Sequence, residues 1–326
     1  MRRLPIVLFM TFHFSPLISS GDAGGAGESK VTYVKAIYSL PVTLDPIKMN
    51  DGSSQVVGEL IYEGLLRLNN DYGYENSLAD SWTSSPDGKV LTFKLRTEAR
   101  FHNGEPVEAA DVIESLSRAV SADSKVFSYF NCIAGSDEYR SGKSKSVAGL
   151  TAIDQQTVQI TLNKPFPPFL YVLAGATAKV LPRRHLNEAT FFERPIGSGP
   201  FQFVSSDINS KRVILQKFSK HPRLKGNLDE IVLSADGQET ALKSASKGTV
   251  NDLVNWPLNG KESVFRDGQH LNVLIAGTWI IGLNSRTKPF EKLSVRKAFR
   301  DSFDAEKFRL AFYPDAEPAV GYLPRG

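Results

Sequence analysis

Apolar and polar positions along the chain alternate between two rhythms. Residues 31–38 mix β-branched and aromatic side chains in loose alternation, with Pro41 and Pro46 behind them, and predict a strand followed by an extended segment. Val57, Leu60, Ile61, Leu65 and Leu68 then recur at three and four, which predicts an amphipathic helix over 55–68 capped by Ser53 or Ser54. Asp87-Gly88 is a turn dipeptide. Beyond it Leu91, Phe93 and Leu95 share one face and Thr92, Lys94 and Arg96 the other, as a half-buried strand requires. Val112, Ile113, Leu116, Ala119 and Val120 mark a second helix, while residues 158–162, 213–216 and 279–283 are strand candidates. Val295, Ala298, Phe299, Ser302 and Phe303 fall at helical spacing, and Asp304 is placed to cap a further helix over 305–312.

Strands and helices are interspersed without a regular βαβ period or a repeat of 20 to 50 residues, so the class is mixed α and β. Pro165, Pro167, Pro168 and Pro182 punctuate a long connection, and Gly197 and Gly199 between Pro195 and Pro200 suggest a lobe boundary there.

The first twenty residues follow neither rhythm. Arg2 and Arg3 precede an apolar run from 4 to 17 and then Ser19-Ser20-Gly21, the pattern of a secretory signal peptide over residues 1–20, too short in its apolar part to span a membrane. Residues 21–30 begin with a Gly-rich stretch and read as a flexible leader. Cleavage after Ser20 removes two of 39 basic residues and leaves 37 against 35 acidic ones, so the mature chain is close to neutral. No block of like charge offers a nucleic-acid footprint. Cys132 is the single cysteine, so an exported chain has no internal disulfide, and no cysteine lies near the cleavage site to carry a lipid. The expectation is a soluble protein of the periplasm.

Catalytic chemistry finds little support. His13, His102, His185, His221 and His270 are isolated from one another, without the three- or four-residue spacing that pairs imidazoles on a helix face, so no metal is expected. The Gly-x-Ser-x-Gly elbow is missing, and Gly197-Ser198-Gly199 runs into Pro200, which favours a turn. Cys132 has no basic neighbour to lower its pKa. Neither Gly-x-Gly-x-x-Gly nor a phosphate-binding Gly-x-x-x-x-Gly-Lys occurs, so no nucleotide cofactor is indicated.

A succession of short segments nevertheless has a pattern. Leu44-Asp45-Pro46, Tyr62-Glu63-Gly64-Leu65-Leu66, Leu78-Ala79-Asp80-Ser81-Trp82, Asp87-Gly88-Lys89, the run from Phe101-His102-Asn103-Gly104 to Val107, Ala110-Asp111-Val112, Gly197-Ser198-Gly199-Pro200-Phe201 and Val295-Arg296-Lys297-Ala298 stand in that order. Together they resemble the bacterial extracellular solute-binding proteins of family 5, which serve peptide and nickel ABC importers. Residues 133–150 look most like the oligopeptide-binding branch. Asn103 and Ala305 depart from the family's commoner residues.

The resemblance implies a type II periplasmic-binding-protein fold: two lobes around a cleft, with an extra inserted domain. Lobe I would comprise residues 31–62 and 194–276, the inserted domain 63–193, and lobe II would begin at 277. It implies a monomer without a cofactor, capturing peptides and handing them to an inner-membrane permease. The cleft-lining loop falls on Asn50, Asp51, Gly52 and Ser53, where Gly52 allows close backbone approach. In the family, lobe II continues well past residues 318–324, so this sequence reads as C-terminally truncated, and the acidic residue that holds a peptide amino group has no counterpart here. A ligand-presenting sensor without transport, or an exported enzyme on the same scaffold, are the alternatives.

Overall fold

The computed structural model describes residues 30–69, 71, 73–253 and 280–312. The expected signal peptide, the leader apart from Lys30, and residues 318–324 lie outside them. The described residues fall into two compact units, 30–253 and 280–312.

The larger unit contains two hydrophobic cores, each with its own four-stranded sheet. In the smaller core, β1 (Thr32–Ala36) leads through a loop to α1 (Gly52–Ile61). The larger core opens with the paired strands β2 (Leu66–Leu68) and β3 (Tyr74–Asn76), then β4 (Ala79–Ser84) and β5 (Val90–Leu95). It continues through α2 (Ala109–Ala119), α3 (Phe127–Phe130), α4 (Ser136–Arg140), β6 (Leu150–Ala152), β7 (Thr157–Thr161) and α5 (Phe169–Ala174). After a 3-10 turn, Arg183–His185, the chain returns to the smaller core as β8 (Phe201–Asp207), β9 (Arg212–Lys217), β10 (Glu230–Ser234) and α6 (Gln238–Ser246).

The sheet of the smaller core runs β1-β10-β9-β8; β1 and β10 are parallel, Tyr33 opposite Ile231, and the other pairs antiparallel. Ile37, Val57, Ile61, Leu215 and Leu233 fill its interior. The other sheet is antiparallel, β4-β5-β7-β6, with the Asp87-Gly88 turn between its first two strands and Gly88 at φ +69°. The alternation read from sequence places Leu91, Phe93 and Leu95 inside, with Val158 and Ile160. Against this sheet packs α2, whose Val112, Leu116 and Ala119 are buried. Asp111 closes a capping box by accepting from Glu108 N–H at 2.9 Å, and its other oxygen accepts from Arg183 N–H at 3.0 Å, fixing the 3-10 turn.

The chain crosses between the cores at residues 61–64, where three segments meet backbone to backbone. Gly199 N–H donates to Ile61 O at 2.8 Å, and Val180 N–H donates to Glu63 O at 2.8 Å. A Cβ on Gly197 would stand 2.0 Å from Ile61 O, and one on Gly199 2.5 Å from Ile61 C, so glycine is required at both by close approach. His102 locks this junction. Its Nδ1 accepts from Gly197 N–H at 3.2 Å, its Nε2–H donates to Gly199 O at 3.0 Å, and its own N–H donates to Gly197 O at 2.7 Å. With one nitrogen accepting and the other donating, the ring is held neutral. Burial lowers its pKa to about 4, against the weaker upward pull of the Gly199 hydrogen bond.

The smaller unit contains α7 (Leu293–Ser302) and α8 (Ala305–Phe312), and Asp304 caps the second by accepting from Lys307 N–H at 2.9 Å. Among the described residues no helix is long and apolar enough to cross a membrane.

Three sequence expectations need correction. The helix expected over 55–68 spans Gly52–Ile61, because Asp51, not Ser53 or Ser54, caps it, and Tyr62 turns to extended backbone with φ −116° and ψ 151°. Leu65 and Leu68 continue the three-and-four spacing by coincidence; both pack in the larger core, Leu68 within β2. Residues 280–283 form no strand, and Trp279 lies outside the described residues. The long connection after residue 163 holds α5 and the 3-10 turn.

Two outcomes are expected. Gly199→Ala forces backbone atoms apart at the crossing and lowers the unfolding free energy by about 3 kcal/mol or more, measurable by urea titration. His102 gives the second: the unfolded ring takes a proton near its usual pKa of 6.5, the folded ring only near 4. Its contribution to stability is therefore full above pH 6.5 and lost as pH falls towards 4. Relative to a His102→Gln variant, the wild type loses about 2.5 kcal/mol between pH 7.5 and 4.5.

Candidate functional site

Because β1 and β10 are parallel, their carboxyl ends lie on one edge of the sheet, the edge at which open α/β sheets take ligands. From the end of β1 the chain runs through residues 37–51 before α1 begins. From the end of β10 it turns at Asp236 and Gly237 into α6, and Asp236 accepts from Ser234 Oγ at 2.7 Å and pairs with Arg212 at 2.6 Å.

The 37–51 loop is shaped from inside. Pro46 imposes a bend, and Asp45 before it is 2% exposed. Its two carboxylate oxygens accept from Arg118 Nη2 of α2 at 3.1 and 2.9 Å, and Oδ1 also accepts from Ile47 N–H at 3.3 Å. Tyr62 Oη donates to Leu44 O at 2.9 Å. Leu44 and Met49 point into the smaller core. The loop is therefore anchored at its base, which leaves Tyr38, Val42, Asn50 and Gly52 exposed at its surface.

Each residue expected to line the cleft has a distinct role. Asp51 caps α1: Oδ1 accepts from Ser54 N–H at 2.8 Å and Oδ2 from Ser54 Oγ at 2.6 Å. Ser53 is 4% exposed, and its Oγ accepts from Ser39 N–H at 3.3 Å, so its hydroxyl faces the protein. Asn50 is exposed. Gly52 is exposed too, and a Cβ there would meet nothing within 4 Å; what its small size leaves open is space outside the protein. Of the four residues, Asn50 and Gly52 face outward, Asp51 is half-buried, and Ser53 works from beneath.

Sequence reading missed Ser39 and offered Ser54 only as a helix cap. Ser54 Oγ accepts from Val42 N–H at 3.0 Å and Thr43 N–H at 3.2 Å while donating to Asp51. Consecutive serines beside a cap residue are the signal that could have exposed this staple. The loop thus presents an exposed carboxamide, that of Asn50, and the half-exposed ring of Tyr38, a surface suited to reversible binding by hydrogen bonds and contact. Cys132, the free thiol, is pushed up to about 11 by burial and stays protonated at neutral pH, which makes it a poor nucleophile. Among the described residues no group of three His, Cys, Asp or Glu side chains could hold a metal ion.

Replacing Ser54 with Ala leaves the Val42 and Thr43 amides without their acceptor. The expected cost is about 1–3 kcal/mol, and hydrogen exchange should show faster exchange at those two amides.

Comparison with known proteins agrees with this architecture. Residues 73–326 match the family model described as bacterial extracellular solute-binding proteins, family 5 Middle. The glutathione-binding protein GsiB of Escherichia coli K12 is 30% identical over 302 residues, covering 89% of this chain and 56% of that protein. A solved periplasmic oligopeptide-binding protein of Borrelia burgdorferi, OppAIV, superposes with a TM-score of 0.79 at 28% identity, covering 88% of this chain and 60% of that one. The Escherichia coli murein tripeptide binding protein MppA superposes with a TM-score of 0.81 at 23% identity, covering 91% and 60%, and shares the fold. The chain spans a little over half the length of the curated relatives it matches. With a family match over residues 73–326 and a type II periplasmic-binding-protein fold, the chain belongs to the bacterial extracellular solute-binding proteins, family 5.

Proposed function

We propose that this chain is a ligand-capturing component of an ABC importer, acting in the periplasm, that binds short peptides and delivers them to an inner-membrane permease. The observation that carries the reading is the family match combined with the anchored loop at the carboxyl edge of β1 and β10, whose Asn50 and Gly52 face outward. The ligands named for its relatives, glutathione, oligopeptides and a murein tripeptide, share peptide chemistry. Backbone pairing in an extended cleft holds a peptide without reading its side chains, which suits a receptor of broad range.

In this reading residues 31–62 and 194–276 form lobe I, residues 63–193 the inserted domain, and lobe II begins near residue 277. Asn50, Asp51 and Gly52 border the ligand, Ser53 supports them, and capture requires no covalent chemistry. The protein works as a monomer, with the permease as its partner.

Native mass spectrometry of protein released gently from the periplasm tests the reading: peptide-sized adducts are expected, and titration with glutathione and with short peptides should give micromolar or tighter binding. Carriage of a non-peptide solute alone, with no measurable peptide affinity, would sink the peptide assignment. Gly52→Trp tests the lining. Since a side chain there meets no protein atom at its root, the melting temperature should stay within about 2 °C of the parent. Peptide affinity should fall at least about tenfold, which corresponds to roughly 1.4 kcal/mol. Unchanged affinity would remove residue 52 from the binding surface.

A further inference from the structure

Two of the sequence motifs, residues 101–104 and 197–201, have no part in the reading above, and both converge on the His102 junction. His102 meets Phe218 edge to face, with ring centroids 5.0 Å apart. Beside this contact lies a half-open groove of about 240 Å³ at the seam of the two cores. Asn103 and Gly104 border it from the turn after His102. Gln202 of β8 and Lys217, Ser219 and Lys220 at the end of β9 border it from the other core, with His102 and Phe218 completing the lining.

The lining has one electrostatic sign. It carries two ammonium groups and no carboxylate. Lys217 Nζ donates one hydrogen bond, to Gly226 O at 2.7 Å, leaving two of its three protons for another acceptor. Glu105, the nearest acid in sequence, stands beside the groove rather than in its lining: its carboxylate is held by the Asn103 side chain, by His185 Nε2 at 3.3 Å and by Arg184 Nη1 at 3.7 Å, so its charge is largely compensated. His102 contributes neither charge nor a free donor, because both ring nitrogens are held by Gly197 and Gly199. The Gln202 carboxamide and the Ser219 hydroxyl add neutral polar groups, while the Asn103 carboxamide accepts from Glu105 N–H at 3.1 Å and lies 3.3 Å from His185 Nε2. The walls are placed by the clamp: Phe218 N–H donates to Pro200 O at 2.9 Å, and Gly104, at φ +88°, donates its N–H to Phe101 O at 2.8 Å.

We propose that this groove is a binding site for a small organic or inorganic polyanion, carboxylate or phosphate in chemistry, separate from the peptide surface at the carboxyl edge of β1. A volume below the roughly 300–1,000 Å³ of pockets that enclose larger ligands limits it to small species. Ammonium groups serve carboxylate and phosphate alike as point charges. An anion held between Lys217 or Lys220 and the turn at Asn103 and Gly104 bridges the two cores and stabilises their junction by mass action.

The test is a titration of 15N-labelled full chain with citrate and, separately, with inorganic phosphate, holding ionic strength constant with chloride. Saturable shifts of the Gly104 and Ser219 amides are expected. Lys220→Gln, at an exposed residue with no role in the clamp, should weaken binding about fivefold, and Lys217→Met at least as much, while Lys143→Gln on a distant exposed loop should change nothing. Saturation by citrate alone assigns carboxylates, and saturation by phosphate alone assigns phosphates. Shifts that fail to saturate, that chloride reproduces, or that survive unchanged in Lys220→Gln and Lys217→Met would overturn the site.

Discussion

Everything in the larger unit depends on three backbone segments passing each other without side chains between them. Ile61 O receives the Gly199 amide and Glu63 O receives the Val180 amide, with Gly197 and Gly199 leaving no room for a Cβ. Gly64 continues the same constraint on the far side, where a Cβ would stand 2.8 Å from Ala178 O. Two cores can share one chain only if the crossings satisfy their own backbone hydrogen bonds in the interior, since an unpaired buried amide or carbonyl costs about as much as a lost hydrogen bond. The junction meets that requirement by close approach, and His102 adds three polar contacts that hold its geometry.

Charge follows the same logic around the crossing. Glu63 is nearly buried; burial pushes its carboxyl up, but contacts with His221, Arg223 and Ser77 more than offset it and leave the group below the usual range. Arg223 also donates to Asn76 O at 2.9 Å, so one guanidinium joins the turn after β9 to β3 of the other core. Asp45 and Arg118 repeat the device between the loop ahead of α1 and helix α2. Buried pairs of this kind are a weak source of net stability, but removing one partner strands the other in the interior, and this fixes which segments must lie side by side. The motifs that identify the family, Leu44-Asp45-Pro46 and Tyr62-Glu63-Gly64 among them, are therefore mostly junction and scaffold.

The exposed loop before α1 inherits its shape from these anchors. Asp45 and Tyr62 fix its base and Ser53 and Ser54 staple its flank, so Asn50 and Gly52 are presented on a surface already ordered before any ligand arrives. Pre-ordering of this sort reduces the entropy lost on binding. It also explains why a loop shaped by backbone and small side chains leaves so faint a mark in the sequence.

Periodicity alone determined much of the fold. The hairpin at Asp87-Gly88, the inward face of Leu91, Phe93 and Leu95, the helix through Val112 and Leu116, and the Asp304 cap all follow from local pattern, because each is decided by residues within a few positions of one another. The order of the family motifs was legible in the same way. Local pattern failed at residues 62–68, where spacing suited a helix but the crossing between cores required extended backbone. It was equally silent on His102, whose partners Gly197 and Gly199 lie almost a hundred positions away, and on Ser53, which the family resemblance placed beside the cleft but only packing could turn inward. Sequence settles what neighbours along the chain decide; which backbone atoms meet across long separations, and hence which polar groups remain free to bind, is decided when the cores pack and satisfy their buried hydrogen bonds.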